Sequence, residues 1–321
     1  MRVAPLVFGV LWLALAATAH ADTYPSRGIR IIVPSAPGGA GDMLARELAD
    51  RIAASLRVSV IVDNKPGASG AIGNELVAHA VPDGYTLLFA TSATHITASQ
   101  LISRLSYDAL RDFTPVVNAA YATSVIVVNA GLPVYSLGEL IDYARARPGK
   151  LNYASSGIGS ANHLDTEVFA LSADVRLTHV PYRGSADGYR ALLADDVQLM
   201  FGAITSALPY VHAGRLRALA VLSDRRSPLL PEVLTIAEAG LDSVDVRKWM
   251  GLMAPARTPP EIVARLNRTV NAILEHPATR AWMERKGFEI AGGSAQEFAR
   301  IMSADDAKWR DALRRMGIRP E

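Results

Sequence analysis

The sequence predicts an α/β fold of two lobes, with the chain crossing between them twice. Three observations carry that expectation. Apolar runs of strand length alternate with helix-period patterns from Ile29 to Val221. Four of those runs break at a turn rich in glycine or serine and then open an amphipathic helix. From Pro259 onward the pattern is helical, and its apolar faces need a sheet to cover. Packing that tail back onto the first block requires crossings near residues 118–124 and 246–251. The lobes implied are 22–120 with 250–321, and 121–249.

Residues 1–21 read as a signal peptide ahead of that fold. Arg2 supplies the positive charge, residues 3–17 are apolar apart from Pro5 and Gly9, and Ala19 and Ala21 are the small residues of a cleavage site. The alternative is an uncleaved anchor, but a spanning helix needs about 20 apolar residues and this stretch is shorter. Cleavage after Ala21 leaves 300 of the 321 residues, enough for one large or two medium domains in the bacterial periplasm. The chain has no cysteine, which excludes disulfides, thiol nucleophiles, thiolate metal sites and a lipid-modified cysteine. A net charge of +2 without any basic run excludes nucleic acid and anionic membrane surfaces as evident partners.

The elements follow in order. Residues 29–33, 58–62 and 86–90 are strands; between them 42–54 places Leu44, Leu48 and Ile52 on one helical stripe, and 71–80 is a shorter helix with Ile72 and Leu76. Pro82-Asp83-Gly84 is a turn. A second block opens near 125–128. Ser136 caps a helix over 137–147 with Glu139 at its third position, and Pro148-Gly149 ends it. Strand 151–154, helix 161–170, strand 178–181, helix 186–193 and strands 197–201 and 216–222 follow. In the tail, Pro259-Pro260 opens a helix with the stripe Ile262, Leu266, Val270 and Ile273. Ser294 and Glu297 form a second capping box ahead of Phe298, Ile301, Trp309 and Leu313.

The four turns are where chemistry is expected. They are Pro37-Gly38-Gly39-Ala40-Gly41, Lys65-Pro66-Gly67-Ala68-Ser69-Gly70, Ser155-Ser156-Gly157-Ile158-Gly159-Ser160 and Tyr182-Arg183-Gly184-Ser185. None carries the lysine of a phosphate loop. Unsatisfied N–H groups at a helix start hold an anion without a cationic side chain. Two turns lie in the first third of the chain and two in the middle, which suggests two half-sites closing on one small anion. The glycines permit positive φ and close approach of a ligand, and Asp42 sits where a carboxylate favours the helix dipole.

Other chemistries fit less well. Asn162 stands where a dinucleotide fingerprint needs its third glycine, and no Gly-x-Ser-x-Gly elbow occurs. His163, in the first turn after Ser160, is either a donor to an anion or a histidine satisfied at a helix start; His95, after Thr91-Ser92-Ala93-Thr94, has the same two readings. His163 and Glu167 lack a third metal ligand, so no metal or cofactor is expected. Arg183 either grips a carboxylate or faces solvent, and Tyr182 either walls a pocket or packs at an edge.

Taken in order, several strings resemble the tripartite tricarboxylate transporter receptor family, also called the Bug family of periplasmic solute-binding proteins. They are Tyr24-Pro25-Ser26-Arg27-Gly28-Ile29, Pro37-Gly38-Gly39 with Asp42, Lys65-Pro66-Gly67-Ala68, and Asp83-Gly84-Tyr85-Thr86-Leu87-Leu88. Further on come Tyr153-Ala154-Ser155-Ser156-Gly157 with Gly159-Ser160 and His163-Leu164, then His179-Val180-Pro181-Tyr182-Arg183-Gly184, and Leu216-Arg217-Ala218-Leu219-Ala220-Val221. The resemblance covers nearly the whole mature chain and implies a two-lobed periplasmic binding-protein fold of the Venus-flytrap type. It implies that Ala36, Gly38, Gly39, Asp42, Ala68, Ser69 and Gly70 hold one carboxylate of the ligand. Thr91, Ser92, His95, Ser155, Ser156, Gly159, Ser160, His163, Tyr182, Arg183 and Gly184 then shape the rest of the pocket. Arg183 departs from the family's usual lysine, and the atypical stretch Ser185–Tyr189 faces the side expected to discriminate ligands.

The expected function is a non-enzymatic periplasmic receptor that binds a small organic carboxylate and presents it to the permease subunits of a tripartite tricarboxylate transporter. Two alternatives stand beside it: presentation of the ligand to a sensor kinase, and a secreted hydrolase or isomerase using His95 or His163.

Overall fold

A computed structural model describes residues 24–158, 160–241 and 248–315. The expected signal peptide and Gly159 lie outside the described residues. The chain first lays down strands β1 (Ile29–Val33), β2 (Val60–Asn64), β3 (Thr86–Thr91) and β4 (Phe113–Ala122) of one sheet. It then builds a second sheet from β5 (Ser124–Asn129), β6 (Asn152–Ser155), β7 (Thr178–Pro181), β8 (Leu199–Ala203) and β9 (Leu216–Leu222). It returns to the first sheet for β10 (Lys248–Pro255) and β11 (Phe288–Ile290). The strand orders are β11-β4-β10-β3-β1-β2 and β7-β6-β8-β5-β9.

Register decides where the loops go. β1 pairs in parallel with β2 and β3, while β10 runs antiparallel to both β3 and β4, placing Met250 opposite Thr91 and Lys248 opposite Ala122. The carboxyl ends of β1 to β4 therefore share one sheet edge. In the second sheet β5 is antiparallel to β8 and β9, with Ser124 opposite Ala203 and Leu222, and β6 is parallel to β7 and β8. The carboxyl ends of β6 to β9 thus share an edge too. Thr123 alone separates β4 from β5, so the two edges adjoin. Ligands of open α/β sheets bind at such edges.

Helices cover both sheets: α1 (Ala40–Leu56), α2 (Ala71–Ala78), α3 (Ala98–Leu101), α4 (Leu137–Ala146), α5 (Ala161–Ala173), α6 (Ser185–Leu193), α7 (Ile204–His212), α8 (Pro260–Glu275), α9 (Pro277–Arg285) and α10 (Ala295–Arg315). The predicted stripe Leu44, Leu48 and Ile52 is buried against Ile29, Ile31 and the Leu266 and Val270 stripe of α8. Phe298, Met302, Trp309 and Leu313 of α10 cover the opposite face with Trp249 and Leu88. The helical tail thus closes the first sheet from both sides. Ser136 accepts the Glu139 N–H at 3.1 Å as expected of a cap, but the Glu139 carboxylate reaches back to the Tyr135 N–H at 2.6 Å rather than to that of Ser136. Ser294 accepts the Glu297 N–H at 3.1 Å.

Two central strands were not expected. Residues 118–122 and 248–251, read as crossings, are the ends of β4 and β10. β4 carries Pro115 and Asn118, and β10 carries Gly251 and two methionines. Neither shows the period-2 alternation of a half-buried strand, because β10 and the middle of β4 are buried on both faces. Gly251 is required there: a Cβ would drive into the Phe298 ring and the Val117 carbonyl.

Candidate functional site

The first jaw is built from three loops at the edge of the first sheet. After β1, Ala36, Pro37, Gly38 and Gly39 are exposed, and α1 starts at Ala40 with Gly39 as an extended N-cap whose side of the helix carries no side-chain cap. The first bond of this helix runs from the Met43 N–H to the Gly39 carbonyl at 2.9 Å. The N–H groups of Ala40, Gly41 and Asp42 therefore have no intrahelical acceptor. Asp42 is 3 % exposed and locks the loop, accepting the Gly38 N–H at 2.9 Å, the Asn64 amide at 2.9 Å and the Arg46 guanidinium at 3.0 Å. Those bonds hold its carboxyl below the usual range although burial opposes them.

After β2 the backbone is left-handed through four residues: φ is +126° at Gly67, +44° at Ala68, +53° at Ser69 and +109° at Gly70. For alanine and serine that conformation costs roughly 1–2 kcal/mol each. The turn leads straight into α2, an αL-to-αR step of the kind that aims successive N–H groups at one point. A Cβ at Gly70 would lie 2.7 Å from the Thr94 carbonyl, and one at Gly73 would lie 2.8 Å from Pro34, so the three loops are in contact.

A buried polar pair holds them. The Asn74 amide donates to the Gly70 and Thr94 carbonyls, both at 2.8 Å, and its oxygen meets His95 Nδ1 at 2.5 Å. His95 is fully buried, its Nε2 lies 2.8 Å from the Ala109 carbonyl, and it packs edge-on against Phe113. Burial pushes its pKa down to about 4, so the ring is neutral and its single N–H serves one of these two oxygens. Basic side chains beside the jaw are paired: Lys65 lies 3.3 Å from Asp63, Arg30 Nε donates to Asp63 at 2.9 Å, and Arg46 to Asp42 and Asn64.

The second jaw comes from the loops after β6 and β7. Asn162, 7 % exposed, accepts the Ser156 N–H at 3.2 Å, the Ser156 hydroxyl at 2.9 Å and the Ser160 hydroxyl at 2.8 Å. Beneath the turn, Ser155 Oγ lies 2.6 Å from His179 Nε2, and the His163 and His179 rings stack with centroids 4.0 Å apart. The Tyr182 N–H donates to the Ser155 carbonyl at 3.0 Å, tying the two loops together. Arg183 is exposed and has no hydrogen-bond or ion-pair partner among the described residues. A Cβ at Gly184 would meet nothing within 4 Å. At the junction of the sheets Lys248 forms an ion pair with the fully buried Asp165 of α5 and donates to Ser124 Oγ at 2.8 Å.

Residues 44–318 match the family described as "Tripartite tricarboxylate transporter family receptor". The chain belongs to that family. It is 40 % identical over 294 residues, 91 % of this chain and 87 % of the other, to a protein of Pseudomonas sp. strain P51 described as "UPF0065 protein in tcbD-tcbE intergenic region". Among solved structures it is similar to R. palustris Rpa4515 with adipate, at 38 % identity and a TM-score of 0.81, covering 93 % of this chain and all of that one. MatC (Rpa3494) from Rhodopseudomonas palustris with bound malate is 30 % identical with a TM-score of 0.76, covering 90 % and 100 %. The receptor thus has the two-lobed periplasmic binding-protein fold, and its family is one of solute-binding receptors. Among its described residues no helix is long and apolar enough to cross a membrane.

The receptor's jaws correct several expectations about individual residues. His95 lies inside the core with its nitrogens against Asn74 and the Ala109 carbonyl, so it supports the first jaw and does not face the cleft. Asp42 likewise braces its own loop, and it takes the Gly38 N–H that was expected for a ligand. Gly70, whose N–H donates to the Gly67 carbonyl at 2.9 Å, is buried in the loop contact; Ser92 and Ser155 are buried too, and His163 is 8 % exposed. Exposed or half-exposed at the jaws are Ala36, Gly39, Ala68, Ser69, Thr91, Ser156, Ser160, Tyr182, Arg183 and Gly184. Within the Ser185–Tyr189 stretch only the first residues face outward, because Gly188 packs on Ala154 and Met200 and Tyr189 is buried over Gly202. The sequence reading missed Asn64, Asn74 and Asn162, which brace the loops, and the stacked position of His179. For Asn162 a signal existed: an amide where the fingerprint wants a glycine.

Proposed function

We propose that this receptor works in the periplasm, capturing a small organic carboxylate by hinge closure and delivering it to the permease subunits of a tripartite tricarboxylate-type transporter, without catalysing a reaction. One observation carries the reading. The first jaw gathers uncharged N–H donors from the start of α1 and from the strained turn before α2, while the neighbouring cations are neutralised by Asp42 and Asp63. Such a site favours a small anion whose charge is met by main-chain dipoles. Carboxylates are the ligands of the related adipate and malate complexes. The lobes that would close on each other are those built on the two sheets, the notional division 22–120 with 250–321 against 121–249 moving to Thr123 and Lys248 so that β4 and β10 stay whole in the first. The second jaw contributes Ser156, Ser160, Tyr182 and Arg183, which has no ion-pair partner among the described residues.

Charge-assisted hydrogen bonds are worth roughly 1.5–3 kcal/mol each, and a handful offset by closure and ordering suits micromolar binding, about −8 kcal/mol. The test is calorimetric titration of ligand-stripped protein with mono-, di- and tricarboxylates, amino acids and aromatic acids. Binding of at least one carboxylate at micromolar Kd is expected. A protein that bound none of them would end this reading.

A further inference from the structure

Three rings lie face to face directly beneath the second-jaw turn. Tyr153 stacks on His179 with centroids 4.9 Å apart and planes 18° apart, and His179 stacks on His163 at 4.0 Å and 19°. The stack touches the turn at both ends of its imidazole pair. His179 Nε2 meets Ser155 Oγ at 2.6 Å, and that oxygen also accepts the Gly157 N–H at 3.1 Å. His163 is the third residue of α5, whose N-cap is Ser160. At the far side the Tyr153 hydroxyl donates to the Glu167 carboxylate, the anion that faces His179.

We propose that the His163–His179 pair is a proton-linked part of the ligand site, taking up a single proton when an anionic ligand seats on the turn above it. This rests on the carboxylate-receptor reading and deepens it. Titratable and hydroxyl groups facing the pair among the described residues include the Tyr153 phenol and Ser155 hydroxyl from β6 and the Glu167 carboxylate from α5; the other acid of that helix, Asp165, is committed to Lys248. In the empty protein, burial lowers the proton affinity of both imidazoles, and for His179 the neighbouring His163 adds to that effect while Glu167 opposes it. A ligand carboxylate seated on the turn would be a second anion near the pair. It favours one imidazolium, and a 4.0 Å stack disfavours two. The second jaw would then gain one positive charge only when the ligand is present.

Linkage makes the effect reciprocal: a ligand that raises proton affinity binds tighter as pH falls, by the same factor. A pKa rise of about one unit on binding corresponds to about tenfold in affinity. The experiment is calorimetry at pH 6.0 with a carboxylate that binds, run in two buffers of different ionisation enthalpy, on wild type, His179→Gln and His163→Gln. Wild type should take up a fraction of one proton beyond that of the ligand itself, and each variant should take up less. Histidine NMR titration of the wild-type protein, empty and loaded, needs no variant. It should show the pair titrating together and shifting upward with ligand. Equal uptake in all three proteins, histidine shifts that ignore the ligand, or uptake of two protons would overturn the proposal. Carboxylate binding without proton uptake sinks this proposal alone, whereas no carboxylate binding at all removes the receptor reading with it.

Discussion

Replacing Gly39 by valine tests whether main-chain amides grip the ligand. The backbone at Gly39 has φ −75° and ψ 168°, which valine adopts freely, and an added Cβ meets only the Ala36 carbonyl, 4.0 Å away. The side chain therefore enters open space in front of the Ala40 and Gly41 amides without disturbing the core. Losing a glycine N-cap costs under about 1 kcal/mol, and in a chain of this size that moves Tm by about 2–4 °C at most. Binding should suffer more. Blocking one charge-assisted amide contact removes about 1.5–3 kcal/mol, which weakens Kd about 10- to 150-fold. Gly38 is a poorer probe, because its φ of +88° strains any other residue. The assay is calorimetric titration with the best carboxylate beside a thermal melt. An unchanged Kd in a folded Gly39→Val protein would remove the ligand from this loop, and a Tm loss beyond about 10 °C would refute the claim that the loop has room.

Three further expectations follow from the same geometry. Arg183→Ala should weaken carboxylate binding less than about tenfold, since the first jaw already meets the charge with dipoles; a larger loss by titration would make the guanidinium the main counter-charge. His95 resists protonation in the fold, with a pKa of about 4 against 6.5 for the free side chain, so the unfolded chain binds the extra proton between those values. Stability should therefore be complete above pH 6.5 and fall by about 3 kcal/mol by pH 4, as read by urea unfolding; a His95→Gln protein with the same pH slope would refute the assignment. Lys248→Met leaves Asp165 as a buried acid without its cation, which should cost about 3–5 kcal/mol. Most of that should return in a Lys248→Met, Asp165→Leu double variant, and failure of the rescue would mean that Lys248 acts through Ser124 instead.

The loop positions were legible because glycine, serine and helix-opening patterns are local signals. The turns at Gly38–Gly39 and Ala68–Gly70 stand at the carboxyl ends of β1 and β2, where the sequence puts them. What filled the gaps between loops was not legible. Asn64, Asn74 and Asn162 act across up to 29, 21 and 6 residues of chain, and an isolated asparagine gives no sign of its partner. His95 shows the same difficulty from the other side. Its place after Thr91–Thr94 suggests a ligand contact, yet the wide turn over Ala93–Thr97 swings the ring into the core, against Phe113 and Ala109. The strands β4 and β10 escaped for a related reason, since burial on both faces erases periodicity.

By itself, then, the amino-acid sequence determined the alternation of strands and helices, the lack of thiol chemistry, the four helix-opening turns and the family resemblance. All of these depend on neighbours in the chain or on residue type alone. Tertiary structure decided which polar groups remain free. The folded register turns Asp42, Asp63 and the buried asparagines inward to brace loops and neutralise cations, and it leaves the Ala40 and Gly41 amides without an intrahelical partner. It also stacked His163 on His179 beneath the second jaw. Burial, pairing and proton affinity belong to a side chain's three-dimensional surroundings, and those form only when distant segments meet.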